Sequence, residues 1–201
     1  MARAPAAVRI ERLTGERLAR HLGELARLRI EVFRAFPYLY AGSEDYEQRY
    51  LRTYAETPGS IIVGAFDGGR LVGAATALPL AGEPANVAEP LARTGYDVRK
   101  LFYFGESVLE PAYRGTGIGV RFFAEREAWA RQAGEFEHVV FCAVIRPEDH
   151  PRRPRDYVPL DAFWQRRGFR RLEGVTCTFS WRDLDDGEET PKPMAYWIKR
   201  L

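Results

Sequence analysis

The stretch at residues 101–129 restricts the fold of this chain more than any other part of it. It opens with four β-favouring residues at 101–104, and Val108 and Leu109 resume that apolar run, which predicts a strand. Pro111 ends the strand because it has no N–H to give to a ladder. Beyond a group of glycines, the apolar residues follow helical spacing. The stretch is therefore predicted to be a strand, a glycine-rich turn and a helix.

The turn holds three glycines at alternate positions, Gly115, Gly117 and Gly119. Without side chains at every other position, successive backbone N–H groups can turn inward around an anion. The helix that begins here also offers unpaired N–H groups and the positive end of its dipole. The sequence therefore predicts a phosphate-binding site where the strand meets the helix.

Two common nucleotide motifs fit this turn poorly. A P-loop needs Lys followed by Ser or Thr after its last glycine, but Val120 and Arg121 stand there. A dinucleotide fingerprint has the spacing G-x-G-x-x-G in the first strand–helix unit, whereas the spacing here is G-x-G-x-G and about half of the chain precedes it. Nucleotide binding by the same loop remains an alternative interpretation, and an ordinary tight strand-to-helix turn is another.

The composition indicates a folded cytoplasmic protein with one domain, residues 1–201. A chain of 201 residues suffices for one sizeable core and is short for two domains. Its 46% hydrophobic content is that of a globular protein, and a net charge of +2 gives no strong field for nucleic acid. No apolar run reaches membrane-spanning length or resembles a secretion signal, so we expect no membrane partner. Cys142 and Cys177 lie in apolar runs and are expected to be free, buried thiols.

Hydrophobic periodicity and turn residues predict an α/β fold along the rest of the chain. The predicted strands cover residues 7–13, 60–66, 70–80, 101–109, 138–145, 169–181 and 194–201. The predicted helices begin at or just after Thr14, Ser43, Gly117 and Leu160. Between them, residues 81–99 are expected to form a loop with one short helical turn at 87–92, and residues 146–158 a long loop rich in proline and arginine.

The residues around the glycine turn carry a family resemblance. The motif Arg114-x-x-Gly117-x-Gly119, entered through Pro111 and Tyr113, closely resembles the acyl-CoA pyrophosphate motif of the GNAT (GCN5-related) N-acetyltransferases. The segment FWQRRGF at residues 163–169 is similar to a later helix motif of the same family. The resemblance covers essentially the whole chain and implies a mixed, mostly antiparallel central sheet flanked by helices, with splayed strands at the acyl-CoA site.

For the cofactor, the resemblance implies acetyl-CoA or another short acyl-CoA. The N–H groups of the turn would bind the pyrophosphate, the backbone at the end of the strand would pair with the pantetheine arm, and the N–H of Leu109 would polarise the thioester carbonyl. The residues implied in this role are Val108, Leu109, Arg114, Gly115, Thr116, Gly117, Ile118 and Gly119. The implied activity is transfer of an acetyl or short acyl group to an amine by direct attack, and no metal site is expected.

An amine must lose its proton before it attacks, which requires a base near its nitrogen. Glu106 is the first candidate, because it is a carboxylate in an otherwise apolar strand three residues before Leu109. The alternative is a strand-edge carboxylate that forms a salt bridge and takes no part in chemistry. Tyr103 stands where some relatives carry their catalytic Glu. Strand alternation places positions 103 and 106 on opposite faces, so we expect only one of them to face the acceptor.

The proton donor to the leaving thiolate is where this sequence departs from the family pattern. Many relatives have a Tyr in the later helix, but Trp164 stands at the matching position, and an indole N–H is a poor proton donor. Tyr157, seven residues earlier, is the candidate to replace it. The same departure motivates an alternative function, an acyl-CoA-binding or regulatory module without turnover.

The acceptor is expected to bind at the end of the first helix and in the loop after it. Phe33, Tyr38 and Tyr40 would wall an apolar or ring-bearing amine there. The alternative is that the aromatic residues of this region only pack two helices on the sheet. The sequence does not name the acceptor, which is a small-molecule or peptide amine under this hypothesis. Exposed strand edges also leave a homodimer open.

Overall fold

The computed structural model of the protein describes residues 8–201, which form a seven-stranded sheet with helices on both faces. The strands are β1 (Arg9–Leu13), β2 (Ile61–Asp67), β3 (Arg70–Pro79), β4 (Leu101–Leu109), β5 (His138–Val144), β6 (Arg170–Trp181) and β7 (Thr190–Arg200). The α-helices are α1 (Gly15–Phe33), α2 (Glu44–Glu56), α3 (Ala85–Ala92), α4 (Ile118–Ala133) and α5 (Asp161–Gln165). Short 3₁₀ turns cover Leu80–Gly82, Val98–Lys100 and Pro111–Tyr113.

The strand order across the sheet is β1-β2-β3-β4-β5-β7-β6. Of the neighbouring strand pairs in this sheet, β4 and β5 run parallel and the others run antiparallel. The predicted mixed, mostly antiparallel sheet flanked by helices is therefore confirmed.

The helices divide the apolar core into two layers, one on each face of the sheet. On one face, Leu25 of α1 and Leu51 of α2 are fully buried in the same cluster as Tyr103 of β4. On the other face, Phe122 of α4 packs in a cluster with Phe104 of β4. Each such side chain contributes roughly 1.5–3 kcal/mol by leaving water. The two faces of β4 therefore pack against different apolar layers of the core.

The strands β4 and β5 separate after a short paired segment. They pair from Leu101 opposite His138 to Tyr103 opposite Val140. Beyond that point β4 continues to Leu109 along β3, while β5 continues along β7. The splayed strands that the family resemblance implied are thus present, and the gap between them opens towards the glycine turn.

A β-bulge interrupts β4 beside this gap. Ala75 lies opposite Ser107, but Ala77 lies opposite Phe104, so β4 carries one extra residue at this point. A bulge of this kind shifts the alternation of side chains by one position. Tyr103 and Glu106 consequently face the same side of the sheet. The prediction that they point to opposite faces is wrong, because it assumed unbroken alternation.

The bulge requires glycine at position 105. A Cβ at Gly105 would lie 2.5 Å from Thr76 Oγ1 and closer still to Tyr54 Oη. Glu106 then donates its N–H to the same Thr76 Oγ1 at 3.1 Å. Packing against α2 and hydrogen bonding to β3 together fix the bulge in place.

The largest difference from the predicted elements concerns β7, which begins at Thr190 instead of Met194. The added segment contains Pro191 and Pro193, and proline has no N–H for a ladder. The carbonyl of Pro193 accepts a hydrogen bond from the Ile145 N–H at 2.9 Å, so this side of β7 faces β5. Both prolines therefore direct their nitrogens towards the β5 side of the strand. The ladder between β6 and β7 loses no N–H donor as a result.

Three smaller differences remain. The loop predicted at 81–99 contains a full helix, α3, instead of a single turn. The last predicted helix was expected to reach Arg167, but α5 ends at Gln165. The first predicted strand begins at residue 7, which lies outside the described residues, and β1 starts at Arg9. Within residues 8–201, none of the helices has both the length and the apolar character needed to cross a bilayer.

Candidate active site

The glycine turn lies at the N-terminus of α4, directly after the splayed end of β4. Gly115 (φ +76°) and Gly117 (φ +86°) adopt left-handed conformations that residues with side chains rarely take. A Cβ built on either glycine would have no neighbouring atom within 4 Å, so the turn presents bare backbone. No side chain caps α4, and its first turn contains no acidic residue. The turn therefore suits a phosphate group, which would meet free N–H groups and the positive end of the helix dipole.

Side chains of the turn tie it to the neighbouring strands. Arg114 donates from Nε to the Leu109 carbonyl at 3.2 Å, and Thr116 donates from Oγ1 to the Tyr113 carbonyl at 2.6 Å. The Tyr113 hydroxyl donates to Asp67 Oδ2 at 2.6 Å at the end of β2. The predicted cofactor residues from 114 to 119 thus lie together in one ordered turn.

The end of β4 presents alternate backbone groups to the gap. Glu110 donates its N–H to the Val72 carbonyl of β3 at 3.0 Å. Because N–H directions alternate along a strand, the Val108 N–H also faces β3, whereas those of Ser107 and Leu109 face the gap. Of the two strand residues implied in pantetheine binding, Leu109 offers its N–H to the gap and Val108 does not. Ser107, which the sequence did not suggest, takes the second position.

A cavity of about 90 Å³ lies on the α1–α2 face of the sheet, at the bulge. It brings together five residues predicted for catalysis and acceptor binding, namely Phe33, Tyr38, Tyr40, Tyr103 and Glu106. The remaining lining residues are Arg29, Tyr46, Tyr50, Gly105, Cys142, Phe179, Trp181 and Met194. Because both β4 and β5 contribute to its wall, the cavity lies where these two strands separate.

A buried group of three charged side chains lies against this cavity. Arg29 Nη1 is 2.6 Å from Glu106 Oε2, and Arg29 Nε donates to Glu47 Oε2. Burial alone would lower the pKa of Arg29, but the charges of Glu106 and Glu47 outweigh this and raise its pKa well above the usual value. The guanidinium is therefore permanently charged. The formal charges of the three side chains sum to one net negative charge.

Glu106 uses only one of its oxygens within the protein. Its Oε2 accepts from Arg29 and from the Tyr50 hydroxyl, the latter at 3.1 Å. Its Oε1 is buried and has no hydrogen-bond partner among residues 8–201. A buried acceptor atom without a partner is costly, so its presence in a cavity wall indicates a position for a donor.

The tyrosines around Glu106 remain protonated. Burial raises the pKa of Tyr50 and Tyr54, and the negative charge of Glu106 raises each further. Burial also raises the pKa of Tyr103. These hydroxyls therefore act as hydrogen-bond donors, and Tyr103 is unsuited to the role of a base.

Arg126 of α4 supports the bulge from the opposite face of the sheet. Its guanidinium donates to the Thr76 carbonyl at 3.1 Å, to the Glu106 carbonyl at 3.3 Å and to Ser107 Oγ at 2.9 Å. It also lies over the Phe104 ring, at 4.2 Å from the centroid. Burial lowers the pKa of Arg126 to about 9. The backbone that carries Glu106 is thus held from both faces.

Arg146, at the start of the long loop after β5, ties together two segments beside the cavity. Arg146 donates from Nη1 and Nη2 to the two carboxylate oxygens of Asp183, at 2.8 and 2.9 Å, and from Nη2 to the Tyr38 carbonyl at 2.8 Å. The Trp181 indole N–H donates to the same Tyr38 carbonyl at 3.0 Å. Arg146 therefore fixes the loop that carries Tyr38.

Tyr157 is not among the residues that line the cavity, although it lies close enough to Tyr38 to affect the pKa of that lining residue. Its ring packs edge-on against Phe36 at 4.7 Å, and Arg153 lies over it at 5.1 Å. Burial raises its pKa. Trp164 packs between Phe141 and Trp197, with 5.0 Å between ring centroids in both pairs, in the apolar layer that also contains Phe104. The structure thus brings Tyr103 and Glu106 into the wall of one cavity, whereas Tyr157 is not part of that wall.

Sequence reasoning missed Arg29 and Glu47, although a signal was present. Arg29 occupies the apolar stripe of α1, four residues after Leu25, and Glu47 occupies that of α2, four residues before Leu51. A charged residue at a core position of an amphipathic helix needs a buried partner. Two such residues on consecutive helices would have indicated an ion pair between them.

Comparison with known proteins agrees with this architecture. The model of the acetyltransferase (GNAT) family matches residues 25–169, well over half of the chain. The structure of a putative acetyltransferase from Acinetobacter baylyi is similar at a TM-score of 0.62 and 16% identity, covering 98% of this chain and 94% of that one. A ribosomal-protein-alanine N-acetyltransferase from Brucella melitensis is similar at a TM-score of 0.60 and 16% identity, covering 96% and 99%.

A GCN5-related N-acetyltransferase from Kribbella flavida is similar at a TM-score of 0.58 and 16% identity, covering 97% of this chain and 98% of that one. No curated protein matches the sequence significantly. At these identities the solved structures show the fold, and the range matched by the family model includes the strand, turn and helix described above. This chain belongs to the acetyltransferase (GNAT) family.

Proposed function

We propose that this protein transfers an acetyl or other short acyl group from acyl-CoA to an amine bound in the cavity beside the bulge of β4. The observation that supports the proposal is that three features lie next to one another. The glycine turn suits a diphosphate, the gap between β4 and β5 exposes the Leu109 N–H, and the cavity at the same gap contains a carboxylate oxygen without a partner. A thioester reaching from the turn along the gap would arrive next to an amine in the cavity.

The backbone provides the contacts to acyl-CoA. The N–H groups from Gly115 to Gly119 would bind the pyrophosphate, and Arg114 adds a positive charge at the turn. The N–H groups of Ser107 and Leu109 face the gap, where they would pair with the pantetheine arm. The Leu109 N–H would also stabilise the negative charge that develops on the thioester oxygen.

Glu106 acts as the base in this proposal. It takes a proton from the ammonium form of the acceptor, and the neutral nitrogen then attacks the thioester carbonyl. The C–N bond forms, the C–S bond breaks and the thiolate takes up a proton, so the net products are an amide, the CoA thiol and one released proton. Tyr103 donates a hydrogen bond within the cavity. Tyr157 remains the proposed donor to the thiolate, and its loop would have to approach the gap for this role.

Calorimetric titration with acetyl-CoA tests the location of the cofactor. Gly117→Glu places a negative charge at the proposed phosphate site and is expected to abolish binding. Gly134→Glu is the matched control, because Gly134 ends the same helix with a similar positive φ of 75° and equally open space around it. Equal affinity of the two variants for acetyl-CoA would refute the proposal.

The two alternatives from the sequence gain no support from the family match, which indicates acyl transfer. A nucleotide-binding protein would bind ATP or NAD in competition with CoA in the same titration. A module without turnover would bind acetyl-CoA but release no thiol with any amine.

A further inference from the structure

The charges around the cavity favour a cationic ligand. Arg29 and Glu106 are the charged side chains that line it, and Glu47 lies directly behind Arg29. Both Arg29 contacts are to carboxylates, so its positive charge is already balanced and one negative charge is left over. Within the part of the chain that the structure describes, the Oε1 atoms of Glu106 and Glu47 are both buried without a hydrogen-bond partner. A ligand with a carboxylate or phosphate would face uncompensated negative charge in this site.

Aromatic rings form most of the remaining wall. Tyr46 and Tyr50 stack with an interplanar angle of 4°, and Tyr40 meets Tyr46 edge-on at 6.1 Å. Tyr38 and Trp181 lie 5.9 Å apart on another side. Ring faces attract ammonium groups. The Arg29 guanidinium already lies over the Tyr50 ring at 4.2 Å, so the attraction for a ligand ammonium comes from the other tyrosines of the wall. The same rings favour an apolar body attached to that ammonium group.

Part of the wall is apolar. It is formed by Phe33, Phe179, Met194 and the buried thiol of Cys142. Burial raises the pKa of the Cys142 thiol well above its usual value, so it contributes no charge. A long polyamine would have to place a second or third cation against this apolar surface, which is unfavourable.

From these contacts we infer that the acceptor is a hydrophobic monoamine: a primary amine attached to an aromatic or other apolar ring, without an acidic group. This inference rests on the proposed function and adds the class of acceptor to it. The ammonium group lies against Glu106, and the ring lies among the tyrosines and Trp181. Free amino acids are excluded by their carboxylate, and polyamines by their extra charges.

Acceptor preference is tested with four compounds and acetyl-CoA: 2-phenylethylamine, phenylalaninamide, phenylalanine and spermidine. Phenylalaninamide and phenylalanine differ at the carboxyl group, so their ratio isolates the effect of an acidic group. The expected kcat/KM for 2-phenylethylamine and phenylalaninamide is at least about tenfold above that for phenylalanine. The carboxylate of phenylalanine would be repelled by the carboxylate of Glu106. Spermidine is expected to be at least about tenfold worse than 2-phenylethylamine. A preference for phenylalanine or spermidine would overturn the inference.

Direct binding of the same compounds to the protein without acetyl-CoA separates this inference from the proposed function. If the hydrophobic amines bind and phenylalanine does not, but no thiol is released, the inference stands and acyl transfer fails. If thiol is released with all four compounds at similar efficiency, acyl transfer stands and the inference fails.

A pair of variants tests the aromatic wall. Tyr46→Leu removes a ring that lines the cavity, and Tyr46→Phe keeps the ring and removes only the hydroxyl. We expect Tyr46→Leu to raise the KM for 2-phenylethylamine several-fold, while Tyr46→Phe stays near the wild type and both keep the wild-type affinity for acetyl-CoA. Equal KM values for the two variants would contradict a role of the ring in acceptor binding.

Discussion

Replacing Glu106 with Gln is expected to separate catalysis from stability in this protein. Removing one partner of a buried ion pair usually costs about 3–5 kcal/mol, because the other charge is left unpaired. Here Arg29 contacts both Glu106 and Glu47, so Glu106→Gln leaves a neutral Arg29–Glu47 pair. The loss of unfolding free energy is therefore expected to stay within about 1.5 kcal/mol, the value of one altered hydrogen bond. The loss of a general base should lower kcat/KM by about 10²–10⁴.

The matched control is Glu47→Gln. It removes the same charge from the same guanidinium, but Glu47 does not line the cavity. Its loss of kcat/KM is expected to be at least about tenfold smaller than that of Glu106→Gln. Initial rates of thiol release with the best acceptor, together with urea unfolding of each variant, provide both quantities. The reasoning would be refuted if Glu106→Gln kept wild-type activity, or if the two variants lost activity equally.

Three further predictions concern the support of the site. Gly105→Ala should destabilise the protein by about 1–3 kcal/mol in urea unfolding, because its Cβ would press on Tyr54 and the bulge cannot widen without moving α2; an unchanged midpoint would contradict this. Arg126→Met leaves strand carbonyls unpaired and should cost roughly 2–4 kcal/mol while also lowering kcat, since the backbone of the base loses its support; a kcat equal to that of the wild type would argue against the positioning role. Burial, with the charge of Glu106, raises the pKa of Glu83 to about 7. The folded state thus binds this proton more tightly than the unfolded state, and stability should fall by at most roughly 3 kcal/mol as pH rises from 4.5 to above 7. Glu83→Gln should flatten that slope, and an identical pH profile would rule out this group as its source.

Periodicity and turn chemistry predicted most of the fold because those signals are local. The strand that ends at Pro111, the glycine turn and the following helix each follow from neighbouring residues. The start of β7 was missed because the effect of Pro191 and Pro193 depends on which neighbouring strand their nitrogens face. That is a property of the sheet order, and the sequence of the strand does not contain it.

The candidate site was predicted in part, for the same reason. Glu106, Tyr103 and the aromatic residues of the first two helices were identified by residue type, and the structure brings them to one cavity. The bulge was not predicted, since it depends on Tyr54 and Thr76 packing against Gly105 from other elements. If the bulge is not known, the alternation of side chains along the strand predicts the wrong face of the sheet for Glu106.

The central claim is that acyl-CoA lies along the splayed end of β4, with its diphosphate in the glycine turn. Titration of ¹⁵N-labelled protein with acetyl-CoA, observed at the backbone amides, tests it most directly. We expect saturable shifts at Ser107, Leu109 and the turn from Gly115 to Gly119, with little change at Val108, whose N–H faces β3. Saturation without shifts at these amides, or with the largest shifts in another part of the protein, would contradict it.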